Sequence, residues 1–298
     1  MDMSQLDSVS GPTVVVLGVA QDGGYPQAGC HAACCEPAWK DPERRALIAS
    51  LGVVDPDSGS RWMIDASPDF PDQLYALDQI QVPRGPSPNL TGIVLTHAHI
   101  GHYTGLMYLG REAIGAHAVP VWGMPRMRSF LKKHGPWAQL CRLGNIELRE
   151  LETRQELPLA PKLSLRAFSV PHRGEYSETV GVVISGPNKK LLYLPDIDSW
   201  ERNRKPIEAL LDDVDIALVD GTFFDASELP HRERGEIPHP LVCDSIERFS
   251  KLSVAQRSRI FFCHFNHSNP LLHPDSTARK MVQDAGLGVA HTGMCFSL

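Results

Sequence analysis

Short apolar runs recur along the chain, broken by Gly, Pro, Asp and Ser, and most have the length and β-branched content of buried strands rather than long helices. Thr13–Val19 reads as a strand, followed by a Gly/Pro/Cys-rich loop over residues 21–42. Ala46–Val54 and Arg61–Ile64 flank a segment, 55–60, whose Pro, Asp and Gly residues predict a hairpin turn. Ser67-Pro68-Asp69 has the signature of a helix start: a capping hydroxyl, a proline in the first turn, then an acid against the dipole. Leu90–Thr96 reads as a buried strand, and Tyr103–Gly115 as a helix ending at glycine. Further strands are expected at Val119–Trp122, Leu163–Val170, Val180–Ser185, Lys190–Leu194, Ile216–Val219 and Ile260–Cys263. Helices are expected at Pro125–Lys133, Pro206–Leu211, Pro240–Lys251 and Asp275–Ala285. A strand-rich first half followed by strand–helix repeats predicts sheets covered by helices. Residues 1–12 read as a flexible lead-in and 13–298 as one domain.

Composition narrows the function classes. With 298 residues, 42% hydrophobic and 21% charged, the chain is ordinary globular material. A net charge of −6 argues against an extended nucleic-acid surface. No apolar run approaches the roughly 18 residues of a membrane helix. The acidic, polar N-terminus is no secretory signal, and seven widely used cysteines then read as reduced thiols in a cytoplasmic protein. Neither a Gly-rich phosphate loop nor a G-x-S-x-G elbow is present.

The chemistry lies in the histidines. Thr96-His97-Ala98-His99-Ile100-Gly101-His102 follows directly on an apolar strand. Three imidazoles so close repel when protonated, and when buried each nitrogen needs a partner; convergence on a Zn²⁺-class ion resolves both problems. His172, Asp196 and His264 each follow a predicted strand, where loops can gather a coordination shell on a rigid sheet.

These residues resemble the metallo-β-lactamase superfamily, whose hallmark is H-x-H-x-D-H after a strand, then a distant His, a bridging Asp and a final His. Within it the chain is similar to the pyrroloquinoline quinone biosynthesis protein B branch. The shared segments are 16–27, a cysteine cluster after it, Asp65-Ala-Ser-Pro-Asp69, Asp220-Gly-Thr222 and 264–270. The resemblance implies an α+β fold, the four-layer αββα sandwich, with metals at the edge of its two sheets. It assigns His97, His99 and His172 to a first metal site, His102 and His264 to a second, and Asp196 to the bridge. Asp65 is assigned a catalytic or ligand-supporting place and His239 a place near the scissile bond; Asp220, following the strand Ile216–Val219, is expected to orient a ligand histidine through its second nitrogen. The motif's Asp is Gly101 here, so the second site loses an anionic ligand; one tight Zn²⁺ is expected, with the second site labile or absent. Fe²⁺ or Mn²⁺ also suits these donors. His97 and His99, commonly replaced in the quinone branch, make the first site more like that of the hydrolases.

Cys30, Cys34 and Cys35 resemble the cysteine run that holds a structural zinc in relatives, with a fourth ligand expected from Cys263 or His267. Tyr25 and Arg173 are expected to face substrate, and Tyr103, Met107 and Tyr108 to pack in the core. A cation held by neutral imidazoles lowers the pKa of its water from about 16 toward 7. The expected function is therefore metal-dependent hydrolysis of a phosphodiester, cyclic phosphate or lactone-like ester. The alternatives are an oxidative or carrier step in quinone cofactor biosynthesis, or a non-catalytic binding role. The partner expected is a small-molecule or phosphodiester substrate, with no membrane; a homodimer is left open.

Overall fold

The computed structural model describes residues 9–229 and 238–298 of the protein. Most of the expected lead-in, residues 1–8, lies outside the described residues.

Two seven-stranded sheets form among the described residues. The first contains β1 (Thr13–Gly18), β2 (Ser50–Asp55), β3 (Ser60–Ile64), β4 (Gly92–Val94), β5 (Val119–Gly123) and β6 (Ile146–Glu150) in that order, with β14 (Cys295–Ser297) beside β1. The second runs, from one edge to the other, β7 (Glu156–Ala160), β8 (Leu163–Ser169), β9 (Val180–Ser185), β10 (Lys190–Leu194), β11 (Ile216–Asp220), β12 (Ile260–Cys263) and β13 (Gly288–Val289). Their inner faces share one core: Val14, Val53, Trp62 and Ile64 meet Leu165, Val182, Leu192 and Leu218. Across the junction Trp62 Nε1 donates to Leu159 O at 2.8 Å, so the buried indole keeps its hydrogen bond.

Helices cover both outer faces. On the first sheet, α2 (Phe70–Ile80), α4 (Pro125–Lys133) and α5 (Gly135–Arg142) bury Phe70, Leu77, Leu131 and Leu140. On the second, α6 (Ile207–Asp212), α7 (Val242–Phe249) and α9 (Thr277–Asp284) bury Ile207, Phe249 and Val282. The result is the αββα sandwich.

Strand direction places the functional loops. In the second sheet β10, β11 and β12 run parallel, and β8 is antiparallel to β9, itself antiparallel to β10. The C-terminal ends of β8, β10, β11 and β12 therefore share one edge. In the first sheet β3 to β6 are parallel. The loops after β3 and β4 open at that same edge, as the contacts described below show.

Three expectations need correction. Residues 103–115 are not one helix: α3 (Ile100–Tyr103) passes into a 3₁₀ turn, Thr104–Leu109. Gly105 N donates to Ala66 O at 2.9 Å, and a Cβ at 105 would strike the Ser67 carbonyl, so tertiary docking overrides the helical pattern. Met107 and Tyr108 are exposed, whereas Tyr103 is buried as expected. The sequence reading also missed β6, β7, β13 and β14. All four are edge strands; β6 and β7 mix polar residues or Pro158 with the apolar ones, and β13 and β14 are too short to show a pattern.

Candidate metal centre

Six of the residues singled out from the sequence converge at the open edge. His97, His99 and His172 each offer one ring nitrogen within 4.8 Å of the others. Asp196 lies among them, with Oδ1 3.5 Å from His172 Nε2 and Oδ2 3.5 Å from His97 Nε2. The same Oδ2 is 3.1 Å from both His102 Nε2 and His264 Nε2. One carboxylate thus faces both halves of the cluster, each oxygen toward different imidazoles.

The outward nitrogens of these rings are all engaged, and this fixes their tautomers. His97 Nδ1 lies 3.0 Å from Thr96 Oγ1, whose hydroxyl is held by Asp65 at 2.9 Å. His264 Nδ1 lies 3.0 Å from Thr222 Oγ1, which donates to Asp220 Oδ1 at 2.8 Å. His102 Nδ1 donates directly to Asp65 Oδ2 at 2.7 Å, and His172 Nδ1 to Asp198 Oδ1 at 3.1 Å. His99 uses its other nitrogen: Nε2 meets Glu175 at 3.4 Å, leaving Nδ1 toward the cluster. In its neutral form each ring therefore presents a lone pair inward. Thr96 and Thr222 stand in segments named from the sequence, but neither they nor Asp198 and Glu175 carry a role that their local pattern reveals.

His172 Nε2 and His99 Nδ1 lie 3.3 Å apart, and four of the other inward atoms have no hydrogen-bond partner. Among the described residues His97 Nε2, His102 Nε2, His264 Nε2 and Asp196 Oδ2 are buried without a hydrogen bond. Leaving such groups unpaired costs about 1–3 kcal/mol each. A divalent cation satisfies them together, and nitrogen plus carboxylate oxygen is a donor set that zinc-class ions accept. The residues present fit a metal.

Asp65 is wholly buried behind the rings, touching Thr96 and His102. Its contacts are those of a residue that positions ligands. The helix that Ser67-Pro68-Asp69 announces begins at Phe70, and Asp69 accepts instead from Ile48 N at 2.8 Å. Both Asp65 (φ 67°) and His264 (φ 64°) adopt left-handed backbone, a strain that clusters at functional sites. His239 is buried beside the cluster, its Nδ1 2.8 Å from Asp220 Oδ2. Burial opposes its protonation, but the Asp220 carboxylate prevails and raises its pKa above the usual histidine value.

The sequence reading left the second half of the centre without a carboxylate beyond Asp196, and the structure corrects this. Asp22, on the loop after β1, brings Oδ1 to 3.4 Å from His102 Nε2. It went unnoticed because it is far from the histidine motif in sequence. The only local hint was glycine where that motif carries its acid.

A second cluster lies apart. Cys30, Cys34, Cys35 and His267 hold their ligand atoms within 4.8 Å of one another, with Cys35 Sγ 3.4 Å from His267 Nδ1. Cys34 belongs to this cluster, with Cys30 and Cys35. Cys263 is not part of it: its thiol is buried in β12 against Val219 O. Tyr25 does not face a substrate either, since its ring is buried and its hydroxyl donates to Cys34 O at 2.9 Å.

Comparison with known proteins agrees with this geometry. Residues 60–265 match the model of a family described as the beta-lactamase superfamily domain. Coenzyme PQQ synthesis protein B of Methylorubrum populi is 29% identical over 316 residues, covering 96% of this chain and 99% of that one. Its counterpart in Pseudomonas putida is 28% identical over 309 residues, with 96% and 99% covered. Among solved structures, Zn²⁺-bound PqqB from Methylobacterium extorquens superposes with a TM-score of 0.81 at 24% identity, over 96% of this chain and all of that one. A diphosphatase of the PhnP family superposes at 0.67 and 22% identity, covering 96% of each chain. The likeness to these structures is one of fold. Since the matched segment takes in every histidine and aspartate of the centre except Asp22, the chain belongs to the β-lactamase superfamily.

Proposed function

We propose that this protein is a metal-dependent hydrolase, with a phosphodiester or cyclic phosphate as first substrate class and a lactone-like ester as second. The observation that carries the reading is the set of inward lone pairs. His97, His99 and His172, with His102, His264 and Asp196, aim ligand atoms at one buried locus, four of them without a hydrogen bond, while the outward ring nitrogens are tied. When bound there, a zinc-class cation supplies Lewis acidity and a water that ionises near neutral pH.

The chain's own groups do the rest. Asp196 holds both halves of the centre at one carboxylate and brings negative charge that offsets the cations. His239 is oriented by Asp220 through Nδ1, so its Nε2 is the free nitrogen and can carry a proton for a leaving oxygen. Asp65 and Asp220 keep ligand tautomers fixed through Thr96 and Thr222, so the site needs little reorganisation. The diphosphatase neighbour supports ranking phosphate esters first. We also propose that Cys30, Cys34, Cys35 and His267 hold a structural zinc.

The test is turnover by zinc-loaded protein against phosphodiester, cyclic phosphate, lactone and lactam panels, beside a His97→Ala/His99→Ala variant. Hydrolysis lost with that pair, and with its metal, is the expected result. No metal-dependent turnover on any panel overturns the reading. A second reading has support in the curated relatives' name: a step in the synthesis of the quinone cofactor PQQ. Oxygen uptake by Fe²⁺-loaded protein with a peptide or quinone precursor, in the absence of hydrolysis, would establish that alternative.

A further inference from the structure

Glycine at position 101 leaves a space, and a distant residue occupies it. Gly101 N donates to Asp22 Oδ1 at 3.1 Å, and Gln21 Nε2 donates to Asp22 Oδ2 at 3.0 Å. Held from both sides, the carboxylate turns Oδ1 toward His102 Nε2, and Asp22, His102 and His264 bring their ligand atoms within 4.8 Å of one another. A Cβ on residue 101 would collide with the Asp22 carboxylate. An aspartate at 101 and Asp22 in this pose thus exclude each other.

The loop that carries Asp22 is fastened to the strand end that carries His264. Gln21 N donates to Phe265 O at 2.8 Å and Phe265 N to Val19 O at 2.7 Å, on either side of a bridge between Ala20 and Phe265. Asp22 and His264 are therefore delivered as one unit, although they are far apart in sequence.

Charge decides what the arrangement is for. Asp65 occupies His102 Nδ1 and Thr222 occupies His264 Nδ1, so the facing nitrogens present lone pairs. Both are buried and unpartnered. Lone pairs of the neutral rings, turned toward two carboxylates, Asp22 and Asp196, repel unless a proton or a cation stands between them, and one divalent cation satisfies all four groups together. We propose that Asp22 is the carboxylate ligand of a second divalent cation, held with His102, His264 and Asp196, in the role that the motif's aspartate would play if residue 101 were not glycine. This rests on the metal centre of the proposed function but not on its reaction.

The experiment counts metals. Chelator-stripped protein is titrated with Zn²⁺ by calorimetry and elemental analysis, and with Co²⁺ to separate thiolate-rich absorption at the cysteine cluster from the histidine centre. Wild-type protein should hold about two cations at the histidine centre, as its two donor sets require. In near-isosteric Asp22→Asn the second of these should bind at least ~10-fold more weakly, with the cysteine absorption unchanged. A wild-type protein that holds one cation at the histidine centre overturns the proposal. So does an Asp22→Asn variant that keeps two at wild-type affinity. A second cation that depends on Asp22 in a protein inactive on every substrate panel would leave this assignment standing and remove the hydrolase reading.

Discussion

Asp65 and Asp220 do the same work in opposite sheets. Each is fully buried, each receives a threonine hydroxyl that in turn meets a ligand histidine, and each also binds a second histidine directly. A carboxylate in such a place raises the basicity of the ring it holds and forbids the wrong tautomer. Glu228 shows the opposite condition. It is largely buried, accepts from Ser268 Oγ and Phe224 N, and burial, resisted by these donors, pushes its carboxyl up to about 7 from an ordinary 4.5. The folded protein therefore favours the neutral acid while the unfolded chain ionises at ordinary pH. No penalty exists below the unfolded value; stability falls as pH rises from about 4.5 to 7 and stays reduced above. Glu228→Gln should stabilise the protein at pH 8 by up to ~3 kcal/mol and change little at pH 4. Urea denaturation at the two pH values checks this; equal effects at both would contradict it.

At the scale of elements, the loop of residues 21–42 contains only a short helix, α1 (Glu36–Lys40), and one 3₁₀ turn begins at its end. Its place is fixed instead by a few long-range ties: Tyr25 pairs with Ala46, Tyr25 Oη reaches Cys34 O, and the cysteines meet His267. Because Asp22 opens this loop and His267 follows His264 by three residues, the cysteine cluster steadies both flanks of the second half of the centre. His267→Ala should release one zinc and lower Tm by roughly 3 °C, the effect of about 2 kcal/mol in a chain of this size. Metal analysis with differential scanning calorimetry tests it. An unchanged melting point together with unchanged zinc content would show that the cluster holds no metal.

Across the whole molecule, the two sheets contribute to one centre. His97, His99 and His102 follow β4 of the first sheet, while His172, Asp196 and His264 follow β8, β10 and β12 of the second. Metal there cross-links the layers, and binding to the folded state alone stabilises it by ~2.7 kcal/mol at a hundredfold excess over Kd. Chelation should thus lower Tm by roughly 5 °C beyond the cysteine site's share, and re-addition of zinc should restore it. His97→Ala/His99→Ala should lose most of that response. A melting curve of wild type indifferent to chelation would contradict the cross-link.

The sequence by itself determined what local pattern can encode. Central strands such as Lys190–Leu194 and Ile216–Val219 are short apolar runs whose length and flanking turn residues favour a buried strand, and three histidines within 97–102 have few uses besides a metal. The helix after that motif was misread and β6, β7, β13 and β14 were missed, because glycine docking and edge position are tertiary circumstances. Asp22 was beyond reach for the same reason. Its pairing with Gly101 depends on a loop folded across the end of β12, and neither residue carries that information in its own neighbourhood. Which nitrogen of each histidine faces inward was likewise decided by the threonines and carboxylates behind them. Ligand types follow from composition and spacing, whereas the coordination shell is a matter of which distant backbones lie side by side.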